Sequence, residues 1–377
     1  MGLTPNLFVI QAAFAPLPAP YVRALTAVEV EASIGEASAF RLSFALSRGA
    51  LGGFDTPPEL FRPLIPIRIS VALGVPLTQT LINGYVAQAR LRGTSETGGA
   101  VLEVVGFDAL GTLMALSEQP ATWPNLPDSE VARTIFARHG VAPTGVAATP
   151  PTRTEVDTTT TQRVNDARYL RQLAERHGYE LFIQPDPVAG IDQGHFRPPL
   201  PTQPPQGVLS MDFGIASNLR DFEVDDAMLR PTGVTATSAD GRTRAPIPAM
   251  APAATEAPMG LEPTLLRIIP PPVERAPSTD AANPAEAQTQ ASARANASSR
   301  AVTAGGVVDG VKFRRPLRVG QPVLVRGAGR QSSGLYYVTR VSHRISQDGY
   351  DQSFRAWRNA VGLTGAEVFI DPLAAAG

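Results

Sequence analysis

Between Tyr21 and about Leu116, apolar and polar residues alternate with a period of two. In "YVRALTAVEVEAS", Val28, Val30 and Ala32 oppose Glu29 and Glu31. "AFRLSFALS" puts Phe40, Leu42, Phe44 and Leu46 on one face, and "PIRISVAL" does the same with Ile67, Ile69 and Val71. Side chains alternate across a strand, so this period predicts half-buried strands. Turn-forming clusters interrupt them at residues 33–38, 48–53, 74–76 and 93–99. Asn83-Gly84, inside "TQTLINGYVAQARLR", marks either a two-residue hairpin turn or a bulge within one long strand. So many strands with short turns imply a sandwich or barrel.

The period then becomes helical. In "LPDSEVARTIFARHGV", Asp128 is expected as N-cap, with Val131, Ile135 and Phe136 inward and Gly140 as the stop. A second helix repeats the plan: Asn165 caps, Asp166 sits in the first turn, and Gly178 ends it. Leu170, Leu173, Ala174 and His177 share one face. Both helices finish in Arg-His-Gly, and a strand follows from Tyr179. Residues 185–206 and 245–277 are proline-rich and read as extended connectors or surface arms. Between them, "GVLSMDFGIASNLRDFEVDDAM" and "RPTGVTATSADGRT" read as strands with turns. The alanine-rich residues 283–303 predict an exposed helix opening at Asn-Pro, after which "QPVLVRGAG", "GLYYVTRVSHRIS" and "YDQSFRAWRNAVG" return to strands. The expected order is β, α, β, with the second all-β unit assembled from two sequence blocks.

A chain of 377 residues has room for two or three domains. A net charge of −1, with 18% of residues charged, argues against nucleic-acid recognition and an anionic membrane surface. Without cysteine there are no disulfides and no thiol chemistry. The apolar N-terminus lacks early cations and is broken by prolines, and other apolar stretches carry acids such as Glu103 and Asp108. The chain is therefore expected to be soluble and made in the cytoplasm without a signal peptide, and not inserted in a membrane.

Candidate chemistry is sparse. Four histidines occur, His139, His177, His195 and His343, none in an H-E-x-x-H arrangement. His177 lies between Glu175 and Glu180, but its place on an apolar helix face before Gly178 favours capping and packing over catalysis. His139 holds the same place in the other helix. Asp221, Glu223 and Asp225 should form an acidic stripe on one strand face, suited to a hard cation or to arginines of a neighbouring chain, with a solvated face as the plainer reading. Arg355 and Arg358 flank Trp357, read as a packed ring beside interface arginines. "GAG" at 327–329 is read as a turn. No residue is assigned a catalytic, cofactor-binding or metal-ligating role, and no cofactor is expected.

Four segments together, "RVNDARYLRQLAERHGYELFI", "SNLRDFEVDDAMLRPTGVTATSADG", "PLRVGQPVLVRGAG" and "SGLYYVTRVSHRISQDGYDQSFRAWRNAVG", resemble the phage late control D family of baseplate hub proteins, related to the hub part of type VI secretion spikes. The resemblance covers most of residues 20–363. It implies a mainly β fold with some α: two tail-tube-like β-barrel domains, 1–120 and 207–363, flanking an α/β middle at 121–206. A proline- and alanine-rich insertion would occupy about 245–303, and 364–377 would be a C-terminal tail. It further implies a non-enzymatic homotrimer that adapts a sixfold tail tube to a threefold spike in a phage tail or extracellular contractile particle. Its partners would be a separate spike protein, the tube or a tube initiator, and baseplate wedge components, with a tape-measure protein or cargo as a further candidate. Two other classes remain open. One is a tail-associated peptidoglycan hydrolase using Asp225, Asp226 or Glu175 as an acid/base pair; the other is a secreted binding module with proline-rich arms.

Overall fold

The computed structural model describes residues 7–47, 60–73, 78–93, 99–149, 160–239, 245–276, 281 and 283–370. Turns expected at 48–53, 74–76 and most of 93–99 lie outside the described residues. The period-two stretches form β2 (Leu25–Ser33), β3 (Ala39–Ser47), β4 (Pro66–Val71), β5 (Gln79–Gly93) and β6 (Gly99–Phe107), while β1 (Phe8–Ala12) precedes them and Ala19–Ala24, which includes the start of the first stretch, is a short helix. In β3 the buried residues are Phe40, Leu42, Phe44 and Leu46, the face the alternation specifies. Asn83-Gly84 lies inside β5, so no hairpin forms there. A Cβ on Gly84 would sit 2.8 Å from the Phe40 ring, so the glycine makes room for a neighbouring strand's side chain.

Two long helices and a small sheet follow. α1 (Asp128–Arg138) and α2 (Asp166–His177) stand with β7 (Ala142–Val146), β8 (Glu180–Pro185) and β9 (Asp192–Arg197), in strand order β8–β9–β7. Asn165 caps α2 as expected, its side chain accepting from Arg168 N at 2.9 Å, and Gly178 closes it at φ 65°. Asp128, by contrast, does not cap α1. Pro127 holds that position, and the Asp128 carboxylate is taken by the end of α2. β8 is covered on both faces: Leu181 and Ile183 join the core of the helical region, while Phe182 joins the core of the later strands.

The proline-rich stretch from 185 is not an arm. It contains β9, whose Phe196 is fully buried and whose Gly194 lies under the Phe136 ring. The period-two content of "IDQGHFR" was masked by the prolines around it.

The last part contains β10 (Val208–Ser210), β11 (Leu219–Asp226), β12 (Gly233–Ala239), β13 (Pro246–Ala251), β14 (Val273–Arg275), α3 (Pro284–Ser299), β15 (Val302–Asp309), β16 (Pro322–Arg326), β17 (Gly334–Ser346) and β18 (Gly349–Arg358). The stretch from 245 is also no free arm. "PIPAMA" alternates, burying Ile247, Ala249 and Ala251, and β13–β12–β14 is a sheet roofed by α3. α3 starts at the Asn283 cap as predicted, but it buries Ala287, Ala291 and Ala295 instead of being exposed all round.

Among the described residues, thirteen strands form one sheet with the path β11–β15–β18–β17–β2–β3–β6–β5–β4–β1, extended by Ala15–Pro16. β16 pairs with the first half of β17, and β10 pairs with β16. The sheet contains the same five-strand pattern twice. β2, β3, β4, β5, β6 and β11, β15, β16, β17, β18 occur in the same chain order, and each set has its fourth strand between its fifth and third. The irregularities match too. Registers skip one residue after Leu25 in β2 and after Leu219 in β11, and after Val86 in β5 and Val338 in β17. Pro66 pairs with Tyr85 as Pro322 pairs with Tyr337. The chief difference is that residues 227–301 separate β11 from β15, where β2 and β3 are joined by a short turn. The two β units are not separate sheets. β17 outruns β16, and its free second half, Arg340–Ile345, pairs with Val28–Ser33 of β2.

Candidate functional site: a braced helix pair and a charged sheet face

The two Arg-His-Gly helix ends form a reciprocal clamp. At the end of α2, His177 Nε2 lies 2.8 Å from Asp128 Oδ2, and Arg176 donates to the same oxygen at 2.9 Å. At the end of α1, His139 Nε2 lies 2.8 Å from Asp166 Oδ2, with Arg138 3.1 Å away. Each helix thus grips the first-turn carboxylate of the other. The arrangement also suits the helix dipoles, with anions at the N-termini and cations at the C-termini. Gln162 donates to Asp166 Oδ1 at 2.6 Å and accepts from Trp123 Nε1 at 3.2 Å, so the buried carboxylate is saturated. Burial pushes the Asp128 carboxyl up, but the His177 hydrogen bond and the Arg176 charge outweigh it and hold it below the usual range. His177 is therefore a bracing residue. Glu175 is exposed and Glu180 is buried, accepting from Tyr337 Oη at 2.6 Å.

The other two histidines are core rings. His195 stacks on Phe182 at 4.4 Å and neither nitrogen has a partner among the described residues; burial lowers its pKa to about 4. His343 Nδ1 lies 2.8 Å from Tyr350 Oη, and burial lowers its pKa to about 3.

Buried and half-buried charge gathers where the helical middle meets both sets of strands. Arg318 donates to Thr80 O at 3.1 Å and Pro185 O at 3.2 Å, linking β5 and β8 to the loop before β16. Burial lowers its pKa to about 10. Asp192 accepts from Asn83 Nδ2 at 2.9 Å, and Asp108 accepts from Ser38 N at 2.9 Å and Gly111 N at 3.1 Å. Burial raises Asp192 to about 6, and Asp108 and Glu180 to about 7. Of these groups only Glu180, beside His177, stands out in the sequence, and it bonds Tyr337 and not the histidine. Their burial depends on contacts between distant segments.

The outward sheet face is charged. Asp221, Glu223 and Asp225 are all exposed, as the alternation predicts. No group of three or more His, Asp or Glu suited to a metal occurs among the described residues. Across the join between the two sets, Arg340 pairs with Glu31 at 3.2 Å and Glu36 at 2.6 Å, and Arg344 with Glu29 at 3.7 Å. Trp357 is packed as expected, against Tyr337 at 5.1 Å with the Arg300 guanidinium 4.6 Å over its ring. Arg355 is exposed, but Arg358 is not an interface residue. It is fully buried and donates to Ser333 O at 3.0 Å and Gly362 O at 2.9 Å.

The carboxylates of the hydrolase alternative do not converge. Asp225 and Asp226 are consecutive on a strand and point to opposite faces, and Asp226 is held by Arg267 at 2.8 Å. Glu175 lies instead in an open groove of about 440 Å³ beside Arg171, Arg230 and Arg300. No helix among the described residues is long and apolar enough to cross a membrane.

A family model described as phage tail baseplate hub (GPD) matches residues 33–349. The chain belongs to that family. Solved structures share the fold of this hub-family chain at low identity. The 43 kDa tail protein of prophage MuSo2 from Shewanella oneidensis is 13% identical, with a TM-score of 0.67 over 94% of this chain and 99% of its own. A tail protein from Neisseria meningitidis MC58 is 14% identical, with a TM-score of 0.62 over 94% and 96%. The Escherichia coli c3393 protein, described as a component of the type VI secretion system, is 13% identical, with a TM-score of 0.57 over 93% and 76%. No curated protein sequence matches the chain.

Proposed function

We propose that this tail protein is the structural hub of a contractile tail or injection system, in which three copies form a ring joining a sixfold tail tube to a threefold spike. The observation that carries this reading is the doubled strand pattern within one sheet. Two equivalent sets per chain, taken three times, present six similar units to one neighbour and three identical chains to the other. The two sets then serve as tube-like barrel domains, about 1–120 and 207–363, with 121–206 as the brace between them. The spike, the tube or its initiator, and wedge proteins are the partners. The protein is made in the cytoplasm and assembled into the particle, and its role is geometric, without catalysis.

Mass photometry of the purified chain, alone and with its spike protein, is expected to show a trimer in at least one condition. A chain that stays monomeric in both overturns the reading, as does clearing in a cell-wall zymogram that Asp225→Asn abolishes.

A further inference from the structure

We propose that β11 of one copy adds to the exposed end of β5 of a second copy, in a fixed register that places Arg92 opposite Glu223, Leu91 opposite Val224 and Arg90 opposite Asp225. The proposal rests on the ring reading above and specifies its interface.

Within the chain, the two sets of strands already meet once, and that junction serves as the template. The fourth strand of the second set, β17, bulges after Val338. It then pairs with the first strand of the first set, bringing Arg344 opposite Glu29, His343 opposite Val30 and Ser342 opposite Glu31. The fourth strand of the first set, β5, bulges at the matching place, after Val86. Beyond that bulge, β5 pairs only with β6 among the described residues, and residues 87–93 are exposed on both faces. The first strand of the second set, β11, likewise pairs only with β15 and ends the sheet. Each chain therefore carries both halves of the junction it has already made internally.

The matching bulges fix the register. Counting from them, Arg344, His343 and Ser342 correspond to Arg92, Leu91 and Arg90, while Glu29, Val30 and Glu31 correspond to Glu223, Val224 and Asp225. The chemistry follows the same order. In the internal junction Arg344 of β17 stands opposite Glu29 of β2, and Arg340, opposite Ser33, reaches Glu31 diagonally. In the predicted one, two arginines face two carboxylates, and the 48%-exposed Leu91 gains an apolar partner. Among the described residues Arg90, Arg92, Glu223 and Asp225 form no ion pair, although Glu103 of β6 stands opposite Arg90 in register. One chain does not join its own two edges. They lie at opposite ends of an eight-strand run that does not close on itself among the described residues, so we take the partner edge from another copy.

The chain has no cysteine, which makes the register directly testable. Leu91→Cys and Val224→Cys, carried on separately tagged chains and co-assembled, are expected to give a disulfide-linked heterodimer on mild oxidation. The displaced pair Leu91→Cys with Phe222→Cys should give several-fold less. Arg92→Glu should weaken assembly by about tenfold, and adding Glu223→Arg should restore it. A trimer that assembles normally with Arg92→Glu, or that does not cross-link at 91 and 224, overturns this edge while leaving the ring reading intact. A chain that never assembles overturns both.

Discussion

His177 and Asp166 show how little of an interaction is local. The helix, its cap at Asn165 and its stop at Gly178 are all written within 14 consecutive residues, because capping and periodicity are short-range effects. The partner of His177 lies 49 residues away, and nothing near Asp128 distinguishes it from an ordinary N-cap. The two Arg-His-Gly endings were the available signal, and their reciprocal use appears only once the helices are side by side. Removing the Asp166 carboxylate takes the partner from Gln162, His139 and Arg138 at once, so Asp166→Ala is expected to cost about 3 kcal/mol in urea unfolding. Glu130→Ala, on the exposed face of α1, should stay within about 0.5 kcal/mol. Glu180 gives a pH signature. Burial raises its pKa from 4.5 to about 7, so the folded state holds a proton that the unfolded chain releases between those values. Stability should therefore fall as pH rises from about 4.5 to about 7, and Glu180→Gln should make that part of the urea-midpoint profile shallower, the remaining slope coming from Asp108 and Asp192, which burial also raises.

Strands and helices were mostly legible because each has its own period, but their pairings were not. Phe40, Gly84 and Gly106 are unremarkable in their separate stretches, yet the Phe40 ring crosses both glycines. A Cβ on Gly106 would sit 2.4 Å from that ring and 2.3 Å from Tyr85 O. Gly106→Ala is expected to lower stability by about 2 kcal/mol, with partial recovery in Gly106→Ala/Phe40→Leu, measured by denaturant midpoint. The same limit applies to the two proline-rich stretches. Prolines suppressed the strand signal in 185–206 and 245–277, although Phe196, Ile247 and Ala249 show by their burial that these segments pack. The repeated five-strand pattern was hidden for another reason. It is held in bulge positions and registers, while the matched strands share few identical side chains.

At the scale of the whole chain, the sequence suggested two all-β units beside a helical middle, but not that they share a sheet. Ile345 and Tyr350, from the end of the chain, lie in the core of the first set of strands, and Phe182 lies in that of the second. Because the cores interlock across the β17–β2 join, thermal unfolding followed by tryptophan fluorescence and far-ultraviolet circular dichroism should give coincident midpoints. Two separated transitions would show that the units are independent. The insertion at 227–301 has a numerical consequence. It interrupts only one of the two matched strand sets, so a ring built from alternating sets bears it at every second place. Seen from one side such a ring counts to six; by its insertions it counts to three.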